Sequence, residues 1–263
     1  MIQPKLSHLQ SLFIGITLLA SASLSMSAQQ TGGQAAKTPT LISQLAAAFS
    51  GGQVVQQVQL SGSATWDAGS LHDSGTVNLT AAASGSSQVQ LSLDSSGQRT
   101  ETEAGTGLGE VCQWAGADGP AHTISADSCL KPAVWFLPSL SLQPSLLPSY
   151  LELTDLGPGT VGNSTNVYRH LQGQLLFTAL PSTPATEIAQ ESTTDFGLDP
   201  LTLLPAVLAY AVHPDNGAAS TVSIEIHYSN YRAVNGVQIP FHIQRYVNGS
   251  LQLDILVNSA QID

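Results

Sequence analysis

The seven histidines are the first residues that could bind a metal ion or move protons, and their spacing favours neither role. No two of them stand in the H-x-H or H-E-x-x-H patterns in which histidines share a metal ion. His227 and His242 fall on neighbouring strands of a predicted hairpin, on its more polar face. A surface metal site there is the alternative to two solvated or hydrogen-bonded side chains. We therefore predict no metal site and no cofactor.

The carboxylates and the glycine-rich segment are also weak catalytic signals. Glu101 and Glu103 lie two residues apart, so both face the same side of a strand, and we expect that side to be solvated. Glycosidase chemistry needs two carboxylates that face each other across a cleft. The run GTGLG at 105–109 lacks the Lys-Ser/Thr of a phosphate-binding loop, and no G-x-S-x-G nucleophile motif occurs. The sequence therefore predicts no enzyme.

Residues 1–28 have the layout of a secretory signal peptide. A short polar region around Lys5 precedes an apolar stretch at 12–24, and the small residues Ser27 and Ala28 follow. A membrane anchor is the alternative, but a spanning helix needs about 20 apolar residues. We therefore expect an exported protein, periplasmic or secreted, that does not span the membrane.

Cys112 and Cys129 are the chain's two cysteines. We expect a disulfide, because an exported chain usually oxidises such a pair. On the chain-entropy model, a bridge across so short a loop contributes about 3 kcal/mol. Two free buried thiols are the alternative. The spacing excludes a C-x-x-C redox motif.

The charge balance limits the kinds of partner. The chain carries 7 Lys or Arg and 18 Asp or Glu residues, a formal net charge of −11, and removal of Lys5 with the signal makes it more negative. Such a surface repels nucleic-acid phosphates and gains nothing from anionic membrane surfaces. We therefore expect no nucleic-acid partner.

The rest of the chain is predicted to be a flexible linker at 29–39 and a single β domain at 40–263. Thr40 can cap a helix whose apolar residues share one face, and Gly51 can end it. About ten strand candidates follow, with short connections rich in Gly, Ser and Asp that favour up-and-down antiparallel pairing. The predicted fold is mainly β with one early amphipathic helix.

The segment between residues 112 and 151 is apolar but is broken repeatedly by proline, which excludes a long helix or a central strand. A loop this hydrophobic must cover another part of the protein. Two interpretations stay open: a plain cap that seals a dry core, or a lid over a ligand cavity. If the segment is a lid, the residues that we expect to contact the ligand are Trp135, Phe136, Leu140 and Leu147.

Two Asn-Gly turns separate the last three strand candidates. A two-residue turn at 235–236 would place Tyr228 opposite Ile243 and keep apolar residues together. The same turn at 248–249 would put Ile255 on the opposite face from Ile243. Because the buried face sets the register, we predict a three-residue loop or a bulge near 248–250.

The C-terminal part also carries a set of turn and core residues that occur together in a known family. Residues 231–241 read aromatic-Arg-x-Val-x-Gly-Val-x-Ile-Pro-Phe, and an Asp-Pro turn at 199–200 is followed by Leu-Pro at 204–205. This combination resembles the last strands of the LolA-like family of periplasmic lipoprotein carriers and their relatives. The resemblance is clearest over 192–263 and loose over 40–191.

The resemblance implies a curved antiparallel sheet, an incomplete β-barrel, with a short helical or irregular lid over an apolar cavity for acyl chains. The implied function is an exported, soluble, carrier-like binding protein for a lipid or other hydrophobic ligand, with no catalysis. Its partners would be a lipid-like small molecule or a lipoprotein acyl chain, and an envelope protein. The alternative is a structural β domain at the cell surface with a dry core, which binds proteins through an edge strand. An apolar void favours the first, and close packing under the insert favours the second.

Overall fold

The structure is a computed structural model that describes residues 40–104, 111–125, 128–213 and 220–263. The predicted signal peptide at 1–28, the linker at 29–39 and the glycine-rich run at 105–109 lie outside the described residues. The division of the chain into signal, linker and domain therefore stays a prediction. Within the described parts, no helix is long and apolar enough to cross a membrane.

Helix α1 spans Leu41–Ser50 and has the predicted ends. The Thr40 side chain accepts a hydrogen bond from a backbone N–H of the first turn, and Gly51 ends the helix in a left-handed conformation with φ of 65°. Leu45 and Phe49 are completely buried. They fix the helix to the sheet, because an amphipathic helix is stable only where its apolar face is covered.

The described strands form one antiparallel sheet, which runs in the order β6-β5-β4-β3-β2-β1-β13-β12-β11-β10-β9-β8-β7. Strands that are neighbours in sequence pair with each other, except for β6 and β7, and the two halves join where β1 meets β13. The sheet is not closed, because β6 and β7 are both edges, and this confirms the predicted incomplete barrel. The strands are β1 (Gln57–Ala68), β2 (Leu71–Ala82), β3 (Ser87–Leu93), β4 (Gly97–Ala104), β5 (Val111–Ala115), β6 (His122–Thr123), β7 (Leu151–Gly159), β8 (Tyr168–Leu175), β9 (Thr194–Leu198), β10 (Pro205–Val212), β11 (Val222–Val234), β12 (Val237–Val247) and β13 (Ser250–Ile262).

The estimate of about ten strands was too low, because β5, β6 and β7 were missed. Strand β7 contains Gly157 and Pro158, which indicate a loop, and proline is tolerated there because β7 is an edge strand. Two further helices, α2 (Pro138–Ser141) and α3 (Ser182–Glu191), complete the described elements. Helix α3 has no buried residue, and Ile188 is its only large aliphatic side chain, so its sequence signal is weak.

The two terminal turns behave as predicted. Ile243 pairs with Tyr228 across the first turn and with Ile255 across the second. The second turn itself has two residues, since Val247 pairs with Ser250, and a register shift follows between Arg245 and Tyr246. This bulge returns the apolar residues of β13 to the buried face.

Candidate functional site

The apolar insert, residues 130–150, packs its first half into the main hydrophobic core. Trp135 is 3% exposed, and Phe136 and Leu140 are completely buried beside apolar side chains of the sheet. Dispersion contacts and loss of apolar surface to water both stabilise such packing. This part of the insert is a cap over a closely packed apolar core.

Hydrogen bonds fasten the same half of the insert to the barrel. The hydroxyl of Tyr228 donates to the carbonyl oxygen of Trp135, and the hydroxyl of Ser87 donates to that of Ala133. The Gln143 amide donates to the Val55 carbonyl oxygen and accepts from the Val55 N–H, both at 2.8 Å. These bonds satisfy buried polar groups that would otherwise cost free energy.

A cavity of about 590 Å³ lies beside the insert, and residues of both halves of the insert line it. The turn between β2 and β3 forms one wall of the cavity, the insert forms a second wall, and residues of strands β7, β8 and β9 form a third. Its volume is within the range of about 300–1,000 Å³ that is typical of sites for small organic ligands. The main apolar side chains of its lining are Leu142, Leu146, Tyr150, Leu151, Leu175 and Phe196.

The structure separates the four predicted lid residues from this cavity. Trp135, Phe136 and Leu140 belong to the closed core, and Leu147 is partly buried at the edge of that core. None of the four is part of the cavity lining, and their contact with a ligand stays a prediction. The sequence does not indicate which residues of β7, β8 and β9 line the cavity, because that depends on the order of the strands in the sheet.

A partly buried ion pair joins strands β4 and β12. Two nitrogens of the Arg245 guanidinium on β12 donate to the two carboxylate oxygens of Glu101 on β4, at 3.0 and 3.1 Å. The expectation that Glu101 is solvated holds only in part, because its side chain is 33% exposed and pairs with Arg245. Burial raises the pKa of the Glu101 carboxyl, but the charge and hydrogen bonds of Arg245 outweigh it and lower the pKa overall. The guanidinium also lies 4.9 Å from the ring centre of Trp135.

The two histidines of the terminal hairpin each contact one carboxylate. His227 lies within hydrogen-bond distance of Glu225, and His242 lies 2.7 Å from Asp254. Among the described residues, no group of three or more His, Cys, Asp or Glu side chains is placed to hold a metal ion.

Comparison with known proteins bears on the fold. No family model matches the sequence, and no curated protein matches it. A domain from Vibrio parahaemolyticus that is assigned as an outer membrane lipoprotein-sorting protein is similar, with a TM-score of 0.51, 8% identity, and coverage of 85% of this chain and 91% of that one. A DUF1329 family protein from Desulfovibrio piger has a TM-score of 0.51 at 11% identity, with 85% and 90% coverage. The chain has a LolA-like fold.

A third similar structure is a LolA superfamily protein from Nitrosomonas europaea, with a TM-score of 0.48, 8% identity, and 85% and 92% coverage.

Within the LolA-like fold of the present chain, a disulfide joins Cys112 on β5 to Cys129 near the start of the insert, with 5.7 Å between their Cα atoms. The sequence predicted this bridge, and the structure confirms it. It ties the beginning of the insert to the sheet.

Proposed function

We propose that the chain is an exported, non-catalytic binding protein for a lipid or another hydrophobic ligand. The observation that carries the proposal is the cavity of about 590 Å³ with its largely apolar lining. Burial of ligand surface there contributes roughly 25 cal/mol per Å² of apolar area. The fold similarity to a domain assigned to lipoprotein sorting supports the same class of ligand.

Binding would involve both halves of the insert. Trp135 and Phe136 hold the core closed, while Leu142 of the same half and Leu146 and Tyr150 of the other half border the cavity. The four predicted residues, Trp135, Phe136, Leu140 and Leu147, would contact the ligand only in an open form in which the insert leaves the sheet. The cavity lining would contact it without that movement.

Export is the second part of the proposal. The signal-like residues 1–28 and the Cys112–Cys129 disulfide both support an oxidising compartment, periplasmic or extracellular. Intact-mass measurement of the protein purified from its natural host tests it. A mature chain that begins near residue 28 or 29 is expected, and an uncleaved N-terminus in the cytosol would contradict it.

The ligand is tested by mass spectrometry of organic extracts of the natively purified protein. Leu175→Trp places a larger side chain in the cavity lining, and Leu256→Trp makes the same exchange on β13, at a side chain that is 51% exposed. We expect stoichiometric lipid in the wild type and in Leu256→Trp, and depletion in Leu175→Trp. Clean extracts from all three, with no uptake of a fluorescent fatty acid, would refute the proposal.

One observation favours the alternative of a structural, protein-binding domain. The core under Trp135, Phe136 and Leu140 is closed, as a dry core requires, and β7 is a sheet edge to which a partner strand could add. If the extracts are clean, the alternative predicts that the wild type captures an envelope protein. A variant in which proline replaces a residue within Leu151–Asp155 should no longer capture it.

A further inference from the structure

The three tryptophans of the chain are joined by two arginines into one continuous series. The Arg99 guanidinium lies 4.7 Å from the ring centre of Trp66 and 5.7 Å from that of Trp114. The Arg245 guanidinium lies 5.7 Å from the ring centre of Trp66 and 4.9 Å from that of Trp135. A guanidinium stacks well on aromatic faces because it is planar and weakly hydrated. These five residues, Trp114, Arg99, Trp66, Arg245 and Trp135, form the arginine–tryptophan series.

The two ends of the series differ in their access to solvent. Trp135 is buried in the insert, whereas the Trp114 side chain on β5 is 39% exposed and stacks on the ring of His122. Arg99, which follows Trp114 in the series, is half-buried. It is the third residue of β4, close to the turn between β3 and β4, whereas the cavity borders the turn at the other end of β3. No residue of the series lines that cavity.

The two arginines use their N–H groups differently. Two nitrogens of Arg245 donate to the two carboxylate oxygens of Glu101. Arg99 donates no hydrogen bond to a described residue, and no described carboxylate lies within ion-pair distance of it. Against the effect of burial, the charge of Arg245 and, to a smaller extent, that of Arg99 lower the pKa of Glu101. Since aromatic rings cover the faces of the Arg99 guanidinium, the N–H groups on its edge are the part that a ligand can contact.

Trp66 supplies a second donor beside Arg99. Its side chain is 5% exposed, and its Nε1–H donates to no described residue. A buried N–H without an acceptor costs free energy, so an acceptor at this place would be stabilising. Because the Arg99 guanidinium lies over the face of the Trp66 ring, the donors of the two residues are at different levels. The oxygens of a tetrahedral phosphate are also at different levels, whereas the two oxygens of a carboxylate lie in one plane.

We propose that the exposed end of the arginine–tryptophan series binds a phosphate group, whose oxygens accept hydrogen bonds from the Arg99 guanidinium and from Trp66 Nε1. Hydrogen bonds between a guanidinium and a phosphate are charge-assisted and frequently bidentate. The chain carries a formal net charge of −11, so the affinity must come from these direct contacts and not from long-range attraction. Inorganic phosphate and the head group of a phospholipid share this chemistry.

The test measures dissociation constants for sodium phosphate, dihexanoyl phosphatidic acid and sodium acetate, with the ionic strength held constant by sodium chloride. Calorimetry of the mature protein gives the constants. Intrinsic fluorescence reports where the ligand binds, because all three tryptophans belong to the series. We expect saturable binding of at least one phosphate compound, about tenfold or more tightly than acetate. Tenfold tighter binding of the phosphatidic acid than of inorganic phosphate would identify a lipid head group, and equal or weaker binding a free phosphate.

Variants then assign the binding to Arg99. Arg99→Gln should weaken binding of the preferred phosphate compound about tenfold or more. Arg99→Lys should also weaken it, because lysine keeps the charge but lacks the planar edge of the guanidinium. Arg232→Gln is the matched control: this guanidinium lies 4.3 Å from the ring centre of Phe241, outside the series, and its loss should leave the affinities unchanged. Circular dichroism checks that each variant is folded.

Three results would overturn the inference. The first is the absence of saturable binding of either phosphate compound by the wild type, which decides the matter even if the variants fail to fold. The second is equal affinity for acetate and phosphate. The third is wild-type affinity in Arg99→Gln, which would place the ligand elsewhere in the protein. None of them bears on the proposed function, which the lipid content of the Leu175→Trp variant tests separately.

Discussion

The Glu101–Arg245 pair gives the sharpest test of how the concave side is held together. Glu101→Gln removes the negative charge and leaves the Arg245 guanidinium, whose side chain is 10% exposed, without its carboxylate. Breaking a buried ion pair from one side costs about 3–5 kcal/mol. Because the Glu101 side chain is 33% exposed and glutamine can still accept one hydrogen bond, we expect about 3 kcal/mol, the lower end of that range.

The measurement is urea unfolding followed by circular dichroism, with thermal unfolding beside it. For a domain of this size, a loss of about 3 kcal/mol lowers Tm by roughly 6–12 °C. Glu152→Gln makes the same exchange at an exposed position of the edge strand β7, and it should stay within about 0.5 kcal/mol of the wild type. A double variant, Glu101→Leu with Arg245→Met, should recover most of the loss, since an apolar pair can replace a buried ion pair.

The reasoning is refuted if Glu101→Gln unfolds within about 0.5 kcal/mol of the wild type. That result would mean that water reaches the pair and screens it. A loss of about 3 kcal/mol that the apolar double variant does not recover would instead show that the ion pair contributes shape or register that leucine and methionine do not supply.

Three further predictions concern other parts of the sheet. The Ser96 hydroxyl, together with backbone N–H donors and against the effect of burial, lowers the pKa of Asp73 below 3.8 in the folded state. The stability that Asp73 contributes is therefore present above pH 3.8, and it is lost as the pH falls through the lower pKa of the folded state. Asp73→Asn should make the free energy of unfolding depend less steeply on pH in this acid range. Reduction of the disulfide should lower the free energy of unfolding by about 3 kcal/mol in parallel urea titrations with and without reductant. A Cβ at Gly62 would lie 2.1 Å from the carbonyl oxygen of Leu256, so Gly62→Ala should lower the free energy of unfolding by about 3 kcal/mol. At Gly116 an added Cβ would have no atom within 4 Å, so Gly116→Ala should be near neutral. Equal losses in the two variants would contradict this prediction.

The parts of the fold that the sequence predicted are those set by neighbours in the chain. The Thr40 and Gly51 ends of α1 are local capping signals, and the pairing of Ile243 with Ile255 follows from alternation and a short turn. Helix α3 was missed because its short apolar face, with Ile188 as the only large aliphatic residue, is a weak signal.

The candidate site was less predictable, because its residues meet only through the topology. The insert was recognised as a covering segment, since an apolar loop cannot stay in water. Phe196 on β9 and Leu142 of the insert line one cavity, but their meeting depends on the sheet order β9-β8-β7 and on the path of the insert. Likewise, Glu101 and Arg245 are separated by 144 residues, and no pattern along the chain connects them.

The two halves of the insert are held in place differently, although both border the cavity. The half up to Gln143 is fixed by the core and by hydrogen bonds to the barrel, including two between Gln143 and Val55. From 144 to 149, the described backbone hydrogen bonds are local, for example from the Leu146 N–H to the Gln143 carbonyl oxygen. Tyr150 is fixed again, because its carbonyl oxygen accepts from the Leu176 N–H and its ring stacks on Phe177. A ligand that enters by displacing 144–149 would leave Trp135, Phe136 and Leu140 in the core and would move Leu147 away from the edge of the core. On the proposed function, this short segment is where we expect the insert to open.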